Sequence, residues 1–248
     1  MTNQKVKLIP ASARHFSDIG WLKTYWLFSF SNYYDPDNVK WGALRVFNDD
    51  VVQAEEGFPT HPHKEMEIVS IVLDGALTHE DSTGTKGKIR PGDVQRMSAG
   101  KGIRHSEFNG EKEPVHFYQI WIEPGVRGLP PSYEQKHYGP ELWHNNLLAI
   151  ASGQGIPGTV SLHTNATIYR SLLDEGKEVT HQTTVDRRVF IYVTNGSLEV
   201  LGENVNTLDQ LRIVAPGSFK LKARVKTSFI LIDVPLVAAP PNEQQAVS

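Results

Sequence analysis

Histidines at 61 and 63 bracket a proline in "GFPTHPHKEMEIVSIVLDG", and a second pair, His105 and Glu107, closes "SAGKGIRHSEF". Residues two apart on an extended strand project to the same face. Pro62 fixes its own φ and favours extended backbone at His61, so the first pair is preset with its rings aligned. His105 and Glu107 share that spacing, and Gly100 and Gly102 before them permit a close approach of the backbone. A β-barrel that folds both segments onto one point would bring three imidazoles and a carboxylate together. Such a set suits one divalent first-row ion: imidazole accepts Fe, Ni, Cu or Zn, and the carboxylate adds a hard oxygen. A closed structural zinc site is disfavoured, because the chain has no cysteine to supply thiolate. An ion with five or six positions keeps one or two open to a substrate, which is a catalytic arrangement. Any one of the ten histidines is uninformative, since a surface or hydrogen-bonded role is the common one. The expectation of a metal rests on the doubled pattern in a Gly-rich β context. Glu67 competes for the carboxylate role. Counted along the strand it shares parity with His61 and His63, so it reads as a ligand in place of Glu107, a partner orienting a ring, or a solvated residue.

The elements that must position these residues are strands. Short alternating or β-branched runs stand at 67–73, 94–97, 115–122, 189–194, 197–200, 211–214 and 228–234. Turn chemistry separates them: "DSTGTKGK" near Gly84, "PGD" at Pro91, "NGS" at Asn195 and "PGS" at Pro216. "GTKGK" reads as a hairpin turn, because a phosphate loop would end in GK[ST] and run into a helix. Only 141–149 and 13–18 look helical. Trp26, Phe28 and Phe30 in "WLKTYWLFSFSNYY" read as alternating core positions in preference to walls of a cavity. The expected class is all-β, an antiparallel sandwich or barrel.

A weak internal echo divides the chain. "GFPTHPHKEMEIVSIVLDGALTHE" is matched by "GKEVTHQTTVDRRVFIYVTNGSLEV", and "IRPGDVQRMSAG" by "LRIVAPGSFKL". Between the halves, "EPGVRGLPPSYEQKHYGPE" reads as a linker. Two copies of one β-barrel unit are expected, 1–132 with the metal site and 133–240 without it, followed by a loose tail over 241–248.

Bulk properties exclude several classes. With 248 residues, 39% apolar and 21% charged, the chain is long enough for a real core. A net charge of −3 offers no groove for nucleic acid and no attraction to an anionic membrane surface. The opening "MTNQKVKLIP" lacks the apolar centre of a secretory signal, and no apolar run is long enough to span a bilayer. A soluble cytoplasmic protein is expected.

Taken together, "HPH", "HEDS", "GDVQ", "SAG" and "GIRHSE" resemble the motifs of the pirin family within the cupin superfamily, as do "GWLKTYWLFSFSNYYDP" and "FYQIWIEP". The resemblance is strong over 20–132 and weak in the second half. It implies two tandem jelly-roll barrels, a bicupin, with iron in the first. By analogy the ligands would be His61, His63, His105 and Glu107, with iron(II) expected and Ni, Mn, Cu, Co or Zn acceptable to the same donors. The wider superfamily usually takes its carboxylate ligand from about the place of Glu67. In the second half His181 stands where a first histidine would, but Thr183 replaces the next one and no histidine follows "APGSFKLKA", which implies no metal there. Bacterial pirin-like proteins imply a quercetin 2,3-dioxygenase, cleaving a flavonol with O2 and releasing carbon monoxide, with Glu107 as the catalytic base. The other class that the family implies is an iron-binding, redox-responsive regulatory protein that docks a protein partner.

Overall fold

The computed structural model describes residues 5–214 and 217–241. The turn expected at Pro216 and the tail 242–248 lie outside them. The strands form four antiparallel-dominated sheets, two to each half. In the first half a seven-stranded sheet runs Ser132–His137, Asp93–Ser98, Glu67–Asp74, Val115–Ile122, Leu44–Val52, Leu22–Trp26, His15–Asp18. A four-stranded sheet faces it: Gly57–His63, Ile103–Phe108, Leu77–Asp81, Lys86–Ile89. The second half repeats the plan, with seven strands around Arg187–Asn195 and four around Ser218–Ala223. The fold is all-β with two cupin barrels, as the sequence implied.

Alternation along each strand divides the core into layers. On Val115–Ile122, Val115 and Phe117 point into the first barrel with Leu22, Val52, Val72 and Leu77. Tyr118, Ile120 and Ile122 point the other way, into a shared layer with Phe190, Tyr192 and Ile230 of the second barrel. Phe47 is the centre of that layer, its ring centroid 5.1 Å from Tyr118, 5.5 Å from Phe190 and 5.0 Å from Tyr192. The second barrel has its own interior of Val189, Ile191, Leu211 and Leu221.

Several expectations change in the folded chain. Residues 141–149 and 13–18 are not helices: short 3-10 turns at Pro140–Leu142 and Ala11–Ala13 lead into the strands Leu148–Ser152 and His15–Asp18. The apparent linker contains Ser132–His137, which pairs with Asp93–Ser98 at the edge of the first sheet. The first strand, Lys5–Ile9, instead pairs with Gln210–Val214 at the edge of the second half's sheet. The boundary between sheets therefore does not fall at 132/133, because each half covers one edge with a strand from across the expected division. The second echo is also displaced by one strand. Sheet order makes Gln210–Val214 the counterpart of Asp93–Ser98, so the turn at Pro91 corresponds to 207–209. The hairpin at Gly84 is as expected. No helix among the described residues is long and apolar enough to cross a membrane.

Candidate metal centre

Gly57–His63 and Ile103–Phe108 are neighbouring antiparallel strands, and their register sets His105 directly opposite His61. The pairing that the spacing suggested is therefore local to one sheet. Between His105 and Glu107 the register slips by a bulge, after which Phe108 faces Gly57. The extra residue lies on Gly57–His63, so Ile103–Phe108 keeps its alternation and Glu107 shares the inward face of His105. Gly57 permits the close approach of the two strands, since a Cβ there would run into the Glu107 carbonyl. Of the two glycines before His105, Gly100 lies against the Leu129 carbonyl, whereas Gly102 has open space and supplies a turn at φ +141°.

The ligating atoms of His61, His63 and His105 lie within 4.8 Å of one another, and so do those of His79, His105 and Glu107. His105 belongs to both sets. His105 Nε2 and His61 Nε2 are 3.1 Å apart. That is about the edge of a coordination polyhedron with each nitrogen about 2.1 Å from a common ion. Glu107 is fully buried; Gln119 Nε2 donates to it at 2.6 Å, and the Ser70 hydroxyl lies at 3.5 Å. Burial pushes its carboxyl up to about 7, with the Gln119 and Ser70 hydrogen bonds opposing. Burial, reinforced by His61, lowers His63 to about 4. Burial and the neighbouring histidines lower His105 to about 2. Both rings are thus neutral, the form in which imidazole binds a cation. Three imidazoles, one buried carboxyl group and no sulfur fit a divalent first-row ion.

His79 is the participant that the spacing argument missed. It is wholly buried on Leu77–Asp81, opposite Glu107, with Nε2 3.0 Å from Asp81 Oδ2 and Nδ1 3.3 Å from His105 Nδ1. Burial works against ionisation of Asp81, but hydrogen bonds from Thr83 and His79 outweigh it and hold the carboxyl below its usual range. An ionised Asp81 accepts a hydrogen bond from His79 Nε2–H, so His79 Nδ1 accepts from His105 Nδ1. That leaves the lone pair of His105 Nε2 facing His61. The signal was present in the alternation Leu77, His79, Asp81, which puts a histidine on the interior face of a strand.

Glu67 stands elsewhere. Lys64–Met66 break the strand, with Glu65 at φ +51°, so parity cannot be counted from His63 across the gap. Glu67 shares its face with Val69 and Ile71, toward the second barrel. Its Oε2 accepts from Ser98 at 2.9 Å and from the His163 backbone N–H at 3.1 Å.

The cluster opens on a cavity of about 510 Å3, within the range of small-molecule sites. His61, His63, Glu107 and Gln119 form one side, and Trp21, Trp26, Phe30, Phe58 and Trp121 much of the rest. Trp26 and Phe30 are therefore cavity walls, contrary to their expected core role, while Phe28 is in the core. The strand ends at Trp26, so alternation does not continue through Phe30. Trp121 packs edge-on against His63, centroids 4.8 Å apart.

The family model described as Pirin matches residues 10–122, and that of the quercetinase C-terminal cupin domain matches 149–234. A protein of Escherichia coli (strain K12) named quercetin 2,3-dioxygenase is 39% identical over 237 residues, spanning 94% of this chain and all of that one. The chain belongs to the pirin family. A pirin-like protein of Caulobacter vibrioides is 40% identical over 218 residues, 88% of this chain and 94% of its own. The crystal structure of the bacterial pirin YhhW from Escherichia coli in complex with nickel(II) superposes with a TM-score of 0.89 at 38% identity, covering 94% of this chain and all of that one.

In this pirin the second barrel keeps the plan without the donors. His181 faces Phe219 across the strands, where His61 faces His105 in the first. Its Nε2 lies 2.8 Å from Asp233, which Arg187 also binds at 2.5 Å. No group of metal-ligating side chains of the first barrel's kind occurs there among the described residues.

Proposed function

We propose that the chain is a metal-dependent dioxygenase of the quercetin 2,3-dioxygenase type, acting on a flavonol and O2. The observation that supports this reading is the grouping of His61 and His63 with His105, and of Glu107 with His105, beside an aromatic-lined cavity. Those four residues would hold one divalent ion, iron(II) in our reading. When bound, it supplies a Lewis-acidic position that acidifies a substrate hydroxyl and favours reaction of the resulting anion with O2. Glu107, fixed by Gln119, takes the proton of the flavonol 3-hydroxyl. Trp26, Phe30 and Trp121 orient the rings and exclude water. The substrate supplies the electrons: the two carbon–carbon bonds to the carbon that bears the 3-oxygen break, both atoms of O2 enter the ester product, and that carbon leaves with its own oxygen as carbon monoxide. The quercetin 2,3-dioxygenase name of the relative 39% identical to this chain supports the substrate class.

The test has two readouts. The purified protein should carry about one metal per chain; His61→Ala, His105→Ala and Glu107→Gln should each lower that content, and Glu67→Gln should not. Loaded with iron(II) in air, the protein should consume quercetin and release carbon monoxide in equal amounts. Full occupancy without turnover would end the dioxygenase reading while leaving the metal site intact.

A further inference from the structure

The mechanism above uses one side of the cavity. The wall formed by the central strand Leu44–Val52 carries two polar residues that it does not use, Asn48 and Asp50. They are two apart on one strand and point into the first barrel, while Phe47 and Asp49 between and beside them face the second. Both are almost completely buried, at 3% and 2% exposure. Yet Asn48 Oδ1 and Asp50 Oδ1 have no hydrogen-bond partner among the described residues. Thr24, directly across from Asp50 on Leu22–Trp26, is the polar neighbour of the Asp50 carboxyl. Buried oxygens without partners are uncommon and costly. Two of them lie together beside a cavity whose other walls are aromatic.

Register locates them relative to the cluster. Asn48 is directly opposite Gln119, the residue that holds Glu107. Asp50 is diagonal to Gln119, about 7–8 Å away by the geometry of adjacent strands. An aromatic substrate with one oxygen at the histidines therefore presents substituents on its far ring to Asn48 and Asp50. We propose that Asn48 and Asp50 form a hydroxyl-recognition subsite, selecting aromatic substrates that carry phenolic hydroxyls remote from the oxygen held at the histidine cluster. A carboxyl accepts an O–H bond in either protonation state, and the Asn48 carbonyl accepts a second, so a vicinal pair of hydroxyls satisfies both. Selectivity of this kind is strong, because a ligand lacking the hydroxyl leaves a buried acceptor unmet. The subsite deepens the dioxygenase reading and rests on it for the orientation of the substrate.

The experiment measures binding apart from turnover. Anaerobic quenching of the cavity tryptophans titrates the metal-loaded wild type, Asp50→Asn and Asp50→Ala with 3-hydroxyflavone, quercetin, benzoate and 3,4-dihydroxybenzoate. Metal content and thermal melting verify that each variant is loaded and folded. Wild type should bind quercetin on the order of tenfold more tightly than 3-hydroxyflavone. Asp50→Ala should lose that preference, and Asp50→Asn should keep part of it. An equal preference in wild type and Asp50→Ala overturns the subsite, as does the absence of any preference in wild type. An Asp50-dependent preference within the benzoate pair alone, without flavonol binding or turnover, keeps the subsite and removes the flavonol reading.

Discussion

Three carboxyl groups on separate strands of the first barrel have different surroundings. Glu107 meets Gln119 and His105, Glu67 meets Ser98 and the second barrel, and Asp50 lies in the cavity wall with one oxygen unpartnered. Burial raises Asp50 to about 8; Thr24 opposes this, and the charges of Asp49 and Glu107 add to it. A raised carboxyl means that the folded state holds the proton more tightly than the unfolded chain. The resulting stability is complete below the ordinary carboxylate range and is lost as pH rises toward 8. The melting temperature of metal-free protein should therefore fall between pH 5 and 8, and Asp50→Asn should flatten part of that fall. An unchanged slope would refute the assignment. At this scale the sequence was informative about His61, His63, His105 and Glu107, because strand periodicity is local. It was uninformative about Asn48 and Asp50, whose orientation depends on which strands flank theirs. Glu67 misled because a left-handed residue at 65 interrupts the periodicity on which parity depends.

The element that matters most is the pair of strands Gly57–His63 and Ile103–Phe108. Their register sets the histidines of the two strands opposite one another, and alternation along Ile103–Phe108 turns Glu107 inward beside His105. Gly57→Ala should place a methyl against the Glu107 carbonyl and force the strands apart. Overpacking of this kind costs about 1–3 kcal/mol. We expect a lower melting temperature together with reduced metal content, measured on the same preparation; destabilisation with full metal content would mean that the close approach of these strands does not position the ligands. Strand identity was legible over Val115–Ile122 and Ser197–Val200, whose observed bounds equal the expected ones. The two apparent helices were not, because an isolated apolar period cannot distinguish a helix from a turn followed by an edge strand.

The barrels are joined by more than apolar contact. Asp49, facing away from the cavity, accepts from Tyr192 of the second barrel at 2.9 Å, lies 3.5 Å from Arg14 and is bound by His116 at 2.6 Å. Asp49→Ala removes the acceptor of the buried Tyr192 hydroxyl, which keeps only the hydrogen bond it receives from Arg14. It should cost about 2–4 kcal/mol in urea unfolding, and a loss below about 1 kcal/mol would show that the aromatic layer suffices. The duplication was readable in the sequence, but the exchange of edge strands was not: nothing in Lys5–Ile9 specifies a partner two hundred residues away. That exchange has a consequence for biosynthesis. Chains emerge at about 5–20 residues per second, so the opening strand waits on the order of 10–40 s before its seat on Gln210–Val214 has been translated. Throughout that interval the nascent first barrel can close without it, while the second cannot finish its sheet until the earliest part of the chain returns.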